Sequence, residues 1–468
     1  MLVLLFSGGN MSFLIKDKNF YKVLFSITMP IAAQNFITFT VSLADSLMLG
    51  KVGEVALSGA NLANQLFFIL MIVTFGVTSA AMVFASQYWG KDDVYSMKRV
   101  ITIMLRLAAA ISVVASALAI CIPETVMSWY SDDPEVIAAG ASYLRIIGWA
   151  YPFYSITNAM ASVLRSAHIV KISIVIYLSS LVVNVSLNWV LIFGNLGAPE
   201  LGIRGAAIAT AAARCVEFII LLVYLAFFEK TVNYRFSDLF VPVKDYLGAF
   251  LKTGAPVVLN EAVWSIGTSV LSMIIGHIST EFVSANSIAN IIWQCVWVVI
   301  SGMGNATSVV IGNAVGRGES KDLILRKAKT IVALSAVMGI VSAVTLLIIR
   351  GPVIDFYEVS AETKALAYDL IVSYALIIVL QAMSMQYVVG IFRGGGDTKT
   401  AMVVDVLFLW TVAIPLGAFT GLVLGWAPPF VYLMLRSDEL LKNIIGFFRL
   451  RSGKWIRNIT VHPAGENA

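Results

Sequence analysis

Apolar residues in this chain come in long runs separated by short polar punctuation. About 20 apolar residues cross the hydrocarbon core of a bilayer as a helix. Runs of that length occupy approximately residues 23–49, 55–89, 100–122, 136–164, 172–194, 205–228, 246–276, 282–316, 328–349, 365–392, 400–424 and 426–448. The pattern predicts an all-α, polytopic membrane protein of twelve transmembrane helices. Runs 55–89 and 282–316 carry no charge and exceed one span, so they are expected to tilt or to extend beyond the membrane. Arg436, Asp438 and Glu439 interrupt the twelfth run, which makes it the weakest of the set.

The polar and small residues that punctuate the runs repeat. Residues 30–90 laid over 256–316 at a constant offset of 226 superpose Pro30 on Pro256, Gly50 on Gly276, Ser58 on Ser284 and Ala63-Asn64 on Ala289-Asn290. Gly76 then meets Gly302, Ala80 meets Ala306 and Gly90 meets Gly316, without a gap. A tandem of related membrane halves points to a transporter whose substrate path lies between them. The expected organisation is two pseudo-symmetric six-helix bundles. A cytoplasmic segment at 1–19 precedes a first lobe at 20–228, and a linker at 229–245 joins it to a second lobe at 246–450, followed by a cytoplasmic tail at 451–468.

Composition agrees. The chain is 59% hydrophobic and 13% charged with mean hydropathy +0.87, whereas soluble domains carry about 25% charged residues. Lys and Arg mark the cytoplasmic side. An N-terminus inside places Lys16/Lys18/Lys22, Lys98/Arg99, Lys171, Lys230/Arg235/Lys244, Lys321/Arg326/Lys327, Arg393/Lys399 and the tail from Lys442 to Arg457 on that face, against Lys51, Arg204, Arg350 and Lys364 outside. Both termini are therefore expected in the cytoplasm, in a multi-pass protein of the cell's inner (plasma) membrane. The net charge of +5 reflects this asymmetry and does not argue for nucleic acid. Cys121, Cys215 and Cys295 lack paired spacing, and His168, His277 and His462 lack metal-ligand spacing. Met1–Phe6 is too short for a signal peptide, and Met11 is expected as the initiator, with Met1 the alternative.

The punctuation also carries a resemblance. Pro30 followed by Asp45-Ser-Leu-Met-Leu-Gly50, then Ala56-Leu-Ser-Gly-Ala60, Gln87-Tyr-Trp-Gly90 and Leu191-Ile-Phe-Gly194 with Leu201-Gly-Ile-Arg-Gly-Ala-Ala207 is similar to the multidrug and toxic compound extrusion (MATE) family. So are Gly254-Ala-Pro256, Arg393-Gly-Gly-Gly-Asp-Thr-Lys399 and Arg451-Ser-Gly-Lys-Trp455, so that the resemblance spans residues 20–460. It implies a V-shaped pair of six-helix bundles exporting organic, often cationic, drug-like compounds by antiport with Na⁺ or H⁺. No catalytic activity and no cofactor are implied, and the expected partners are small-molecule substrates and membrane lipid, with the protein a monomer.

An Asp near the centre of a transmembrane helix costs roughly 2.5–3.5 kcal/mol on insertion scales, so each one needs a partner or a function. Asp45 lies toward the outer end of the first span, and its spacing from Pro30 matches the family position where a first-lobe Asp takes the coupling ion. Asn184 and Asn188, four residues apart, share one face of the fifth span. Relatives often carry Asp at the second of these positions. One carboxylate fewer favours H⁺ over Na⁺, with Na⁺ left open. Asn158 and Tyr143 match further polar positions of the family's ion-coupling network, with helix packing as their alternative role.

The second half has Leu271 where the offset would place an equivalent of Asp45. Glu261 precedes the NorM-type glutamate position, filled here by Trp264, and Ala382 stands where that branch has an Asp. The DinF-like branch is thus the nearer comparison. Glu261, Trp264, Trp293 and Trp297 form a candidate cation-π and carboxylate surface for an organic cation, with Asp405 as a further substrate-side or gating carboxylate. Lipid anchoring is the alternative for the tryptophans. Asp369 reads as a hydrated residue near the outer interface, and Arg214 with Glu217 as a structural pair. Gly394-Gly-Gly-Asp-Thr-Lys399 is no phosphate loop, because Walker A needs Gly directly before Lys. The alternative function is a lipid or lipid-linked oligosaccharide flippase of the same superfamily, which needs a cationic cavity.

Overall fold

The computed structural model describes residues 14–357 and 359–460. The choice between Met1 and Met11, and His462, lie outside the described residues. The long helices are α1 (Lys18–Val52), α2 (Glu54–Gly90), α3 (Val94–Cys121), α4 (134–166), α5 (Lys171–Phe193), α6 (Ile203–Phe228), α7 (Lys244–Ile278), α8 (Thr280–Gly316), α9 (Lys321–Phe356), α10 (Ala361–Arg393), α11 (Thr398–Val423) and α12 (428–452). Ten of these are each long and apolar enough to cross a membrane. The other two are assembled from pieces. In α4, Pro134–Ile147 and Tyr151–Ser166 are joined by a tight turn at Gly148–Ala150. In α12, Pro428–Leu435 and Asp438–Ser452 meet at Arg436 and Ser437.

The repeat extends to the helix ends. Adding 226 to the bounds of α1, 18 and 52, gives 244 and 278, the bounds of α7; adding it to 54 and 90 gives 280 and 316, the bounds of α8. Helices α2 and α8 have 37 residues each. At about 1.5 Å per residue they are roughly 55 Å long, well beyond the ~30 Å hydrocarbon core, in agreement with the expected overhang.

The chain forms two compact units, one of residues 33–85 and 93–251, the other of residues 14–32, 86–92 and 252–460. The division passes through α1 two residues after Pro30, through α2 near its end and through α7 between 251 and 252, whereas the repeat suggests lobes built from whole helices. Close packing holds the start of α1 in the second unit: a methyl group on Gly302 would stand 3.1 Å from the Thr28 carbonyl and 3.2 Å from the Ala32 nitrogen.

In the first unit the core gathers Leu66 and Leu70 of α2, Ala119 of α3, Leu144 and Tyr151 of α4, Ile192 of α5 and Ala206 of α6. Gly205 brings α6 onto the backbone of Leu191, the close approach that small residues permit between membrane helices. The 229–245 linker is fastened to α3. Lys98 pairs with Asp238 at 3.2 Å, and Arg106 donates to the carbonyls of Leu239 and Val241.

The core of the second unit gathers Phe282, Ile288 and Ile292 of α8, Ile371 and Ile378 of α10 and Tyr432 of α12, with Tyr374 stacked on Tyr432 at 4.1 Å. Within this unit the end of α2 crosses α8 reciprocally: added methyls on Gly90 and Gly316 would strike the backbones of Asn313 and Gln87. Helix α10 widens into a π-helical turn over Gln386–Arg393. After Gly453, whose φ of 62° ends α12, the chain doubles back as a strap. Trp455 is fully buried on Gly395, the Arg457 amide donates to the Gly395 carbonyl at 2.8 Å, and Asp397 is gripped by Arg449 and Arg457 at 2.5 and 3.1 Å. The glycine run 394–396 thus makes room for this strap, and residues 461–468 lie outside the described part.

Candidate ion-coupling site

The first unit assembles its site from five helices. Asp45 of α1 is half-buried, and its carboxylate accepts a hydrogen bond from the Asn188 amide of α5. Asn188 Nδ2 also donates to Asn184 Oδ1 one turn away at 3.1 Å, and Asn184 Nδ2 donates to Thr210 Oγ1 of α6 at 3.1 Å. Both asparagines are completely buried, and Asn188 Oδ1 has no hydrogen-bond partner among the described residues. Tyr143 of α4 is buried beside them, with Asn64 of α2 and Thr210 as side-chain partners, and it faces the charge of Asp45. A carboxylate, an unpartnered amide oxygen, a hydroxyl and a phenol therefore share one region.

The structure brings together Asp45, Asn184, Asn188 and Tyr143. Asn158 stands apart from them and accepts from the Tyr177 hydroxyl at 3.3 Å. Thr210 and Asn64 belong to the cluster and escaped sequence reasoning. Asn64 carried a signal, since the repeat preserves it as Asn290. Arg214, one turn beyond Thr210, pairs with Glu217 at 2.6 Å and lies over the Tyr154 ring at 5.1 Å. Among the described residues no three His, Cys, Asp or Glu side chains converge as a metal site.

In the second unit the candidate substrate residues are engaged internally. Glu261 pairs with Arg393 at 2.7 Å, and the π-helical turn of α10 carries this nearly inaccessible guanidinium. Asp405 accepts from Lys442 at 2.8 Å and from Asn260 at 3.0 Å, and the same ammonium reaches Asp438 at 2.8 Å and Glu439 at 3.6 Å. Trp293 and Trp297 are stacked at 4.8 Å against the unit's core, and Trp293 Nε1 donates to Gln381 at 3.0 Å. Trp264 remains 36% exposed.

The MatE family model matches residues 30–190 and 256–444, the two halves of the repeat. The chain belongs to the MATE family. Multidrug resistance protein PmpM of Pseudomonas aeruginosa is 24% identical over 407 residues, covering 86% of this chain and 84% of that one. A probable multidrug resistance protein NorM of Rhizobium meliloti is 27% identical, covering 89% and 92%. An uncharacterized transporter of Bacillus subtilis, YisQ, is 22% identical over 94% of this chain and 96% of its own. Among solved structures, an outward-facing multidrug resistance MATE transporter superposes with a TM-score of 0.84 at 17% identity, covering 94% of this chain and 99% of that one. A MOP-superfamily transporter from Pyrococcus furiosus gives 0.83 at 17% identity over 92% and 95%. The fold is therefore the MATE fold, and the protein is a multi-pass transporter of that family.

Proposed function

We propose that this MATE protein is a secondary active exporter of organic, drug-like compounds in which Asp45 takes the coupling ion, and that this ion is H⁺. One observation carries the reading. Among the described residues, six carboxylates in helices α1–α12 are buried or half-buried, and five have a basic partner: Glu217 with Arg214, Glu261 with Arg393, and Asp405, Asp438 and Glu439 with Lys442. Asp45 alone has no basic side chain within 4.0 Å and is held by amides. An uncompensated carboxylate in a membrane interior is costly, and an exchangeable cation is what completes it. Hard cations such as Na⁺ favour several charged oxygens; here Asn188 supplies a neutral one, so the set suits a proton better.

Outside protons neutralise Asp45 in its outer-half position, and loss of that proton to the cytoplasm resets the carrier. Energy then comes from the ion gradient, with no catalytic step and no cofactor. We read the chain as nearer the DinF-like than the NorM-like branch, a reading supported by the first-lobe Asp45 together with Trp264 and Ala382 at the second-lobe positions. Trp264 is the part of the candidate substrate set left open, since the charges of Glu261 and Asp405 are already met by Arg393 and Lys442. We take the termini to be cytoplasmic on the distribution of Lys and Arg, and the working unit to be a monomer in lipid. The test is drug efflux from proteoliposomes under a pH gradient without Na⁺, compared with a Na⁺ gradient at equal pH. Efflux driven by the pH gradient and lost in Asp45→Asn is expected; efflux driven only by Na⁺ overturns the choice of ion, and efflux unchanged in Asp45→Asn overturns the assignment of the site.

A further inference from the structure

The hydrogen-bonded chain from Asp45 continues past Thr210. It runs from Asp45 of α1 through Asn188 and Asn184 of α5 to Thr210 of α6. Arg214 is four residues on from Thr210, so it stands on the same face of α6 one turn away. It lies within electrostatic reach of Asp45 but outside contact distance, and among the described residues its ion pair is with Glu217, whose side chain is 1% exposed. A guanidinium this enclosed interacts strongly with every charge near it, because little water screens it.

We propose that Arg214 and Glu217 are positioning residues of the ion-coupling site, a buried charge dyad that sets how readily Asp45 takes up a cation. Two carboxylates stand in the field of one guanidinium, which contacts Glu217 but not Asp45, so the cluster carries a single uncompensated negative charge when Asp45 is ionised and none when one monovalent cation or one proton has bound. The site is thereby matched to a single positive charge per binding event. When Asp45 is neutralised, Arg214 is left to Glu217 alone; when Asp45 is ionised, the guanidinium serves both.

The other groups facing the dyad are uncharged at neutral pH, the phenols of Tyr143 and Tyr154 from α4 and of Tyr177 from α5; the amides of Asn64, Asn184 and Asn188, also uncharged, stand against Tyr143 and Asp45. The remaining charges on the helices that build the site are engaged or remote. Arg145 pairs with Glu124, Arg165 bonds Gln34 and Ser162, Lys171 begins α5 at the end away from Asn188, Lys51 and Glu54 are exposed at the α1–α2 turn, and Lys18, Lys22, Glu135 and Arg204 are exposed near the starts of α1, α4 and α6.

The inference rests on Asp45 as the ion-binding carboxylate, and its test does not depend on transport. Infrared difference titration of purified protein follows the protonated-carboxyl band, and the part lost in Asp45→Asn belongs to Asp45. Arg214→Gln removes the stabilising cation and moves the midpoint of that band upward by about one pH unit or more, the usual size of such an effect. Glu217→Gln frees the guanidinium for Asp45 and moves it downward. Arg214→Lys leaves the midpoint near that of the wild type, as does the doubly neutralised Arg214→Gln/Glu217→Gln protein. A pair that merely braces the helices would lower thermal stability in both single variants without opposite midpoint shifts. Midpoints of Arg214→Gln and Glu217→Gln that coincide with the wild type, or move together, overturn the proposal; if Arg214→Gln fails to fold, Glu217→Gln and the double variant decide it. Efflux persisting in Asp45→Asn overturns the coupling assignment instead, leaving the band shifts as a separate result.

Discussion

Gly90 and Gly316 occupy equivalent places in one reciprocal crossing. A methyl on Gly90 would collide with the backbone of Asn313, and one on Gly316 with the backbone of Gln87. Adding 226 to 87 and to 90 gives 313 and 316, so each half of the crossing is the repeat image of the other. This is the contact pattern of a local two-fold axis between α2 and α8.

The crossing predicts the response to alanine. In an open helical position Gly→Ala stabilises, by roughly 0.4–1 kcal/mol. Gly276→Ala, with nothing within 4 Å of the added methyl, should follow that rule in a thermal melt of detergent-solubilised protein. Gly90→Ala and Gly316→Ala should each cost about 1–3 kcal/mol through overpacking, and by similar amounts. Tolerance of either one would mean that the backbones are not in contact.

The Glu261–Arg393 pair separates a structural from a substrate-binding role. Removing one member of a buried pair strands the other, at about 3–5 kcal/mol. Arg393→Gln should therefore destabilise strongly, and Glu261→Gln/Arg393→Gln should recover much of the loss. A stable Arg393→Gln protein with weakened drug binding would instead assign the pair to the substrate.

Most of the fold was legible from the repeat. The runs 23–49, 55–89, 246–276 and 282–316 mark α1, α2, α7 and α8 to within five residues of their ends, and the constant offset of 226 carries over to the helix bounds because the punctuating prolines and glycines repeat along with the apolar runs. The break in α4 at Gly148–Ala150 was not legible, since an apolar run reads alike whether it is one helix or two joined by a tight turn. Of the candidate site, Asn184 and Asn188 were readable as one face of a helix, because an i,i+4 spacing needs no long-range information, whereas joining them to Asp45 on another helix took the resemblance to the family. Arg393 and Lys442 were not visible as partners of Glu261 and Asp405. The first pair is joined across more than a hundred residues, and its geometry depends on a π-helical turn in α10 that no periodicity announces.

Asn188→Asp tests the ion preference by restoring a second carboxylate beside Asp45. Two carboxylates with an amide and hydroxyl oxygens suit Na⁺ better than one does. The variant should gain Na⁺-dependent efflux at fixed pH, and a Na⁺-specific rise in melting temperature relative to choline chloride. No response to Na⁺ would place the ligands too far apart to act together.

The strap offers a test remote from the site. Burying Trp455 on Gly395 should contribute about 3–5 kcal/mol relative to alanine, so Trp455→Ala should melt markedly earlier. Asp397→Asn should do the same more mildly, because Arg449 and Arg457 lose a shared anion but remain near solvent. An unchanged melting curve for Trp455→Ala would mean that the strap is not held in solution.

The strap also bears on the order in which the protein is made. The Gln87 side chain, at the end of α2, gives its amide hydrogens to the carbonyls of Gly394 and Arg457 at 3.2 and 3.1 Å and receives the Ile459 amide at 2.9 Å. Arg457 lies 370 residues downstream, which at about 5–20 residues per second separates the synthesis of the two partners by roughly 20–75 s. Through that interval the nascent chain holds an inserted α2 whose buried end lacks its final hydrogen bonds, and residues synthesised hundreds of positions later complete a helix inserted long before them.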